Sequence, residues 1–209
     1  MHRNRTRPTS LYSNSGQRKY LSRDERLRFL VAGDAHERQD VRTFCLTLAY
    51  TGCRISEALM LTGAMVCGDD GVIAMPCLKK RNDRIVMREI PVPESLLVLL
   101  RSVHSTNERD PSTRLWTFSR TRAWQLVKAV MTRAGIAHGP QACPKGLRHG
   151  FGLHAVRSGV PVHLVQRWLG HARMETTAIY LQAMGAEERE IAARMWRADE
   201  QPPVGAATQ

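Results

Sequence analysis

Apolar residues recur along this chain with two different periods, and the order of those periods narrows the fold more than any other feature. In the first third they fall at helical spacing. Ser22 followed by Glu25 makes a capping box, and the helix it opens is expected to bury Leu27, Leu30 and Val31 and to end at Gly33. Val41, Phe44, Cys45 and Leu48 share one face of a second helix. Gly52 breaks it, and a short third helix is expected over 55–61. The period then changes. Residues 64–66, 72–75 and 85–92 are short apolar or alternating runs, separated by Gly68-Asp69-Asp70-Gly71 and by 79–83. Helical spacing returns over 96–103 and again around Trp124, Val127, Val130 and Met131, capped by Ser119 or Thr121 and closed by Gly135. Further helices are expected over 145–158, 161–169, 174–183 and 186–197. One block of strands inside a run of helices is an α+β arrangement, mainly α with a small three-stranded antiparallel sheet.

The chain has 209 residues, enough for one domain with a substantial core. That domain is expected over 20–198. Residues 1–19 read as a flexible basic arm, and 199–209, rich in Pro, Gly and Ala, as a disordered tail. Thirty-one Lys and Arg against 19 Asp and Glu leave a net charge of +12. So basic a domain points to a polyanion, most often nucleic acid, against the alternative of a basic surface kept for solubility. The five cysteines are odd in number, irregularly spaced and without a CxxC. They read as reduced, mostly buried thiols of a cytoplasmic protein, not as a disulfide framework or zinc site. No apolar run suits a signal peptide or a membrane span, so no membrane partner is expected.

Three short stretches carry side chains suited to chemistry. In Thr51-Gly52-Cys53-Arg54-Ile55-Ser56-Glu57 an arginine follows a helix break and opens a new helix. There it can grip an anion, or simply pair with Glu57 one turn on. In Pro144-Lys145-Gly146-Leu147-Arg148-His149-Gly150, Lys145 and Arg148 share a helix face, among small residues that favour close packing. In Leu169-Gly170-His171 a Gly-His turn precedes Thr176-Thr177, and Tyr180 follows nine residues after the histidine. Of the four tyrosines, only Tyr180 lies beside a cationic candidate site. The Trp124 helix, with Arg120, Arg122, Lys128 and Arg133, is a candidate to enter a DNA groove, or is a solvated basic face. No clustered carboxylates or HExxH spacing suggest a metal site.

Taken in order, the three stretches resemble the boxes of the tyrosine recombinase (phage integrase) family, TGxRxSE, HxLRH and LGHxxxxTTxxY, over about Tyr20 to Trp196. The resemblance implies the family's catalytic-domain fold and makes Arg54 and Arg148 the catalytic arginines, His171 the third-box histidine and Tyr180 the nucleophile. It implies that Lys79, or Lys80 if the turn slips by one, is the β-hairpin lysine and general acid. The implied reaction breaks and rejoins DNA through a 3′-phosphotyrosine, with Lys145 and His171 adding hydrogen bonds and with no metal, ATP or other cofactor. The implied partner is double-stranded DNA, bound by a tetramer. The helix at 186–197, through Ile191, Met195 and Trp196, either exchanges between protomers or packs on its own core. Arg3, Arg5 and Arg7 either follow the DNA backbone or have no role.

Two departures stand out. Lys145 replaces the usual first histidine of the second box. The family's N-terminal helical domain is matched here only by the arm, so the chain grips DNA from one side, borrows a clamp from a partner, or is a remnant. Two rival readings stay open: a type IB topoisomerase-like relaxing enzyme, and a non-catalytic DNA-binding accessory protein.

Overall fold

The computed structural model describes residues 10–77, 86–106, 108, 110–136 and 138–181. Residues 1–9, the 78–85 segment with Lys79, and everything after Leu181, including the helix expected at 186–197 and the tail, lie outside the described residues.

The capping box forms as expected. Ser22 Oγ accepts from the Glu25 N–H, the Glu25 carboxylate accepts from the Ser22 N–H, and α1 (Arg23–Asp34) begins. Its buried face differs from the expected one. Phe29, Arg26 and Gly33 turn inward, whereas Leu27 is 48% exposed and Val31 70%. Gly33 lies against Cys45 and Leu46 of the next helix, on the same inward side as Phe29. Arg26 reaches across to donate to the Ala49 carbonyl. In α2 (Gln39–Thr51) all four expected core residues are buried. Gly52 ends the helix at φ +61°, a conformation that favours glycine, and α3 (Ile55–Ala58) follows.

Residues Gly63–Met65 form a 3-10 turn where the first strand was expected, and the sheet begins one step later. β1 (Val66–Cys67), β2 (Val72–Cys77) and β3 (Val86–Pro91) pair antiparallel in that order. Ile73 faces Ile90 and Met75 faces Arg88, so Arg88 occupies an inward position. Then come α4 (Glu94–His104), α5 (Arg120–Arg133, capped by Ser119), α6 (Pro144–Arg157), α7 (Val162–Leu169) and α8 (Glu175–Ala178).

Two apolar clusters hold these elements together. The larger is built from α1, α2, α4, α5 and the inner sheet face, with Phe44 edge-on to both Trp116 and Phe118. The smaller contains Leu11, Phe151, Val165, Leu169, Ile179 and Tyr180. α6 serves both, through Leu147 on one side and Phe151 on the other. Leu11 also corrects the extent of the arm. It is 3% exposed, Tyr12 bridges Arg18, and Arg18 Nη2 donates to Glu25 Oε1 at 2.6 Å. Residues 10–19 are thus tied down by one buried leucine and one ion pair to the capping box. All five cysteines are free, but only Cys45 and Cys53 are buried, so burial of the thiols is less general than expected. Among the described residues no helix is long and apolar enough to cross a membrane.

Candidate active site

A cleft of about 710 Å³ opens beside the larger apolar cluster, with Cys53 and Ile55 in its lining. Its walls come from the chain entering α3, the first turns of α5 and α6, and the segment running into α8. Arg54, Arg120, Lys145, Arg148, His149 and His171 line it, and no described carboxylate does. Four cationic side chains around a carboxylate-free hollow make an anion site.

Arg148 is the most constrained of them. It is 7% exposed, and its two Nη groups donate to the Gly52 carbonyl at 2.8 Å and the Leu169 carbonyl at 2.6 Å. These carbonyls stand at the C-terminal ends of α2 and α7, where helices leave acceptors unpaired. Burial, then the neighbouring Arg54, pull the guanidinium down to about 10, which still leaves a cation at neutral pH. Arg54 is held by Glu57, with Nη1 to Oε1 at 2.6 Å and the backbone N–H to Oε2 at 2.9 Å. Glu57 is fully buried and also accepts from Arg88 Nη2 at 2.8 Å. Burial favours the neutral acid, but Arg88 and Arg54 outweigh it and hold the carboxyl below its ordinary range. Arg88 in turn donates from Nε to the Trp168 carbonyl at 2.7 Å and from Nη1 to Pro76 O and Cys77 Sγ. It thereby ties the sheet to the end of α7.

His171 follows Gly170, which takes the left-handed conformation at φ +64°. Its Nδ1 lies 2.9 Å from the Thr177 hydroxyl, leaving Nε2 for a ligand. Burial, then Arg148 and Arg54, push the imidazole down to about 3, so it is neutral. Tyr180 does not line the cleft. It is fully buried behind it, its ring stacked 6.4 Å from that of His171, and its Oη lies 3.1 Å from His149 Nδ1. Gly152 leaves room for the ring, since a Cβ there would stand 2.5 Å from its Cζ. Burial raises the phenol to about 12 despite Arg148 and Arg54.

The structure therefore gathers Arg54, Lys145, Arg148 and His171 in one cleft with Tyr180 behind its wall, while Lys79 lies outside the described residues. Arg120 lines the cleft beside Trp124, which is 46% exposed. Arg122 and Arg133 fall away from the cleft wall on α5, because neither is a multiple of a helical turn from Arg120. Lys128 donates to the Ala142 carbonyl at 2.6 Å and lies over the Trp124 ring. Residue-level reading missed His149, Arg88 and Thr177 as parts of the site. Two signals were present: His149 sits one turn after Lys145, and Arg88 interrupts the inward side of an alternating strand. Among the described residues no group of three or more His, Cys, Asp or Glu is placed to hold a metal.

Comparison with known proteins identifies the family and the fold. The profile of the phage integrase family matches residues 19–187. Tyrosine recombinase XerA of Thermococcus kodakarensis is 31% identical over 171 residues, spanning 78% of this chain and 57% of that protein. The chain thus spans little more than half the length of this relative. A crystal structure of XerA recombinase superposes with a TM-score of 0.68 at 25% identity, over 84% of this chain and 64% of that one. The catalytic domain of bacteriophage HP1 integrase shares the fold with a TM-score of 0.62 at 20% identity, over 91% of this chain and 98% of that domain. With its three boxes, its mainly helical fold and its small antiparallel sheet, the chain belongs to the phage integrase family of tyrosine recombinases.

Proposed function

We propose that this chain is the catalytic domain of a site-specific DNA recombinase that breaks and rejoins double-stranded DNA through a 3′-phosphotyrosine at Tyr180. The observation that carries the reading is the cleft in which Arg54, Lys145, Arg148 and His171 converge in front of the Tyr180 phenol, with no carboxylate among its described lining residues. A scissile phosphate in that cleft takes charge-assisted hydrogen bonds from the two guanidinium groups. Neutral His171 and Lys145 donate to the same oxygens as negative charge grows on them. Tyr180 attacks phosphorus, and Lys79 protonates the leaving 5′ oxygen. The tyrosyl ester conserves the energy of the broken bond, so rejoining needs neither ATP nor a metal. Net charge of +12 supports DNA as partner, with Arg120, Arg122, Lys128 and Arg133 as further candidate contacts. Assembly as a tetramer through the segment at 186–197, with or without a clamp from a partner, completes the proposal.

A second reading, a DNA-binding accessory protein without chemistry, draws on the full burial of Tyr180. One experiment separates the two. The chain is mixed with duplex DNA from beside its own gene in EDTA, quenched with SDS and resolved for a covalent adduct, with Tyr180→Phe alongside. The recombinase reading expects an adduct that the variant abolishes. DNA binding with no adduct from the parent chain overturns it in favour of the accessory reading.

A further inference from the structure

The burial of Tyr180 raises a question about its proton. The inference rests on the reading of Tyr180 as nucleophile. A phenol held at about 12 is protonated at neutral pH, so the proton must leave as oxygen attacks phosphorus. The position where the family most often carries an imidazole is Lys145 here, and a protonated amine has no lone pair to accept with. His171 has its Nδ1 committed to Thr177. Among the described side chains, His149 alone both bonds the Tyr180 oxygen and lines the cleft.

His149 has a second, independent peculiarity. It is 5% exposed, and its other nitrogen, Nε2, is buried without a hydrogen-bond partner. A buried nitrogen without a partner in the wall of a cleft calls for a reason. Burial, then Lys145, Arg148 on the same helix and Lys19 from the N-terminal turn, push the imidazole down to about 4, so it is neutral, with one nitrogen protonated and one bare. In the tautomer in which the phenol donates to Nδ1, the imidazole hydrogen is on Nε2. In a setting this cationic, an imidazolium left standing is disfavoured. A histidine that takes a proton on one nitrogen and yields one from the other never needs to be charged.

We propose that His149 is a catalytic residue that relays the nucleophile's proton. As the Tyr180 Oη–P bond forms, the phenol hydrogen passes to Nδ1 and the Nε2 hydrogen passes to a phosphoryl oxygen of the scissile diester. The P–O5′ bond then breaks, the leaving oxygen takes a proton from the separate general acid, and that acid recovers the proton carried by the phosphoryl oxygen. Two bonds form, Oη–P and O5′–H, and two break, Oη–H and P–O5′. Rejoining runs the same path backwards through the other tautomer.

The test is single-turnover adduct formation on the duplex described above, with either a native scissile phosphate or a 5′-bridging phosphorothiolate, whose thiolate leaves without an acid. His149→Asn keeps an acceptor near the Nδ1 position but has no second ring nitrogen. His149→Gln runs in parallel, so that a folding defect in one variant, read from its melt, leaves the other to report. The relay expects adduct formation slowed by roughly 10²-fold or more on both substrates, with duplex Kd unchanged. A rate within about threefold of the parent chain, or recovery on the phosphorothiolate, overturns the relay alone. No adduct from the parent chain on either substrate overturns the tyrosine reading and the relay together.

Discussion

Glu57 shows how one residue can decide the shape of a site it does not line. Fully buried, it receives two contacts from Arg54 and one from Arg88, whose own side chain is 3% exposed. Removing the carboxylate leaves the Arg88 charge buried without a counter-ion. Glu57→Gln is therefore expected to cost about 3–5 kcal/mol of stability, read from a denaturant midpoint. The imidazoles of buried His149 and half-buried His171 give a pH signature. His149 and His171 lie well below their ordinary value of 6.5, at about 4 and about 3. Between those values and 6.5 the unfolded chain binds protons that the folded chain refuses, so stability rises with pH in that window. Melting temperature is expected to fall as pH drops from about 6.5 towards 4. His149→Gln is expected to flatten the decline, and a profile unchanged by that substitution would remove the assignment. Arg88 was legible as a charge on the inward side of β3, but its partner was not, because Glu57 lies 31 residues away and only the packed sheet brings them together.

At the scale of elements, α6 is the part on which everything else leans. It meets α2, α1, α5 and α7 and supplies Lys145, Arg148 and His149 to the cleft. Its glycines permit that crowding. A Cβ on Gly146 would run into the Gln141 backbone carbonyl, which cannot swing aside, whereas one on Gly152 would meet the Tyr180 ring. Gly146→Ala is expected to lower stability by about 1–3 kcal/mol through overpacking. Gly152→Ala is expected to do less to the melt and more to the adduct yield, because it moves the nucleophile. The reverse order in the two measurements would count against the placement of Tyr180. Ser22→Ala removes the α1 cap and is expected to cost about 1 kcal/mol in the same denaturant series. The helix periods were legible because caps and breaks are local. The buried face of α1 was not, because Leu27 and Val31 are as apolar as Phe29. The face is selected by packing across the interface, where Phe29 is fully buried and Leu27 and Val31 are left exposed.

For the whole molecule the governing quantities are charge and the meeting of two cores. A net charge of +12 and a cationic cleft predict DNA affinity that falls steeply with salt. A footprint of six or more phosphates loses on the order of 10³ in affinity between about 50 and 200 mM salt, and fluorescence anisotropy on any duplex reads the slope. A slope near zero would mean that the basic surface does not face the phosphates. By itself the sequence determined the helix and strand order, the caps, the basic character and the three boxes with their order, since each depends on neighbours within a few turns. Only the tertiary structure decided that residues 10–19 belong to the fold, that Arg88 and Glu57 set Arg54, and that Tyr180 rests on His149 behind the cleft wall. Those contacts join side chains far apart in the chain, and their partners are chosen by packing volume and by the cost of leaving a buried polar group unpaired.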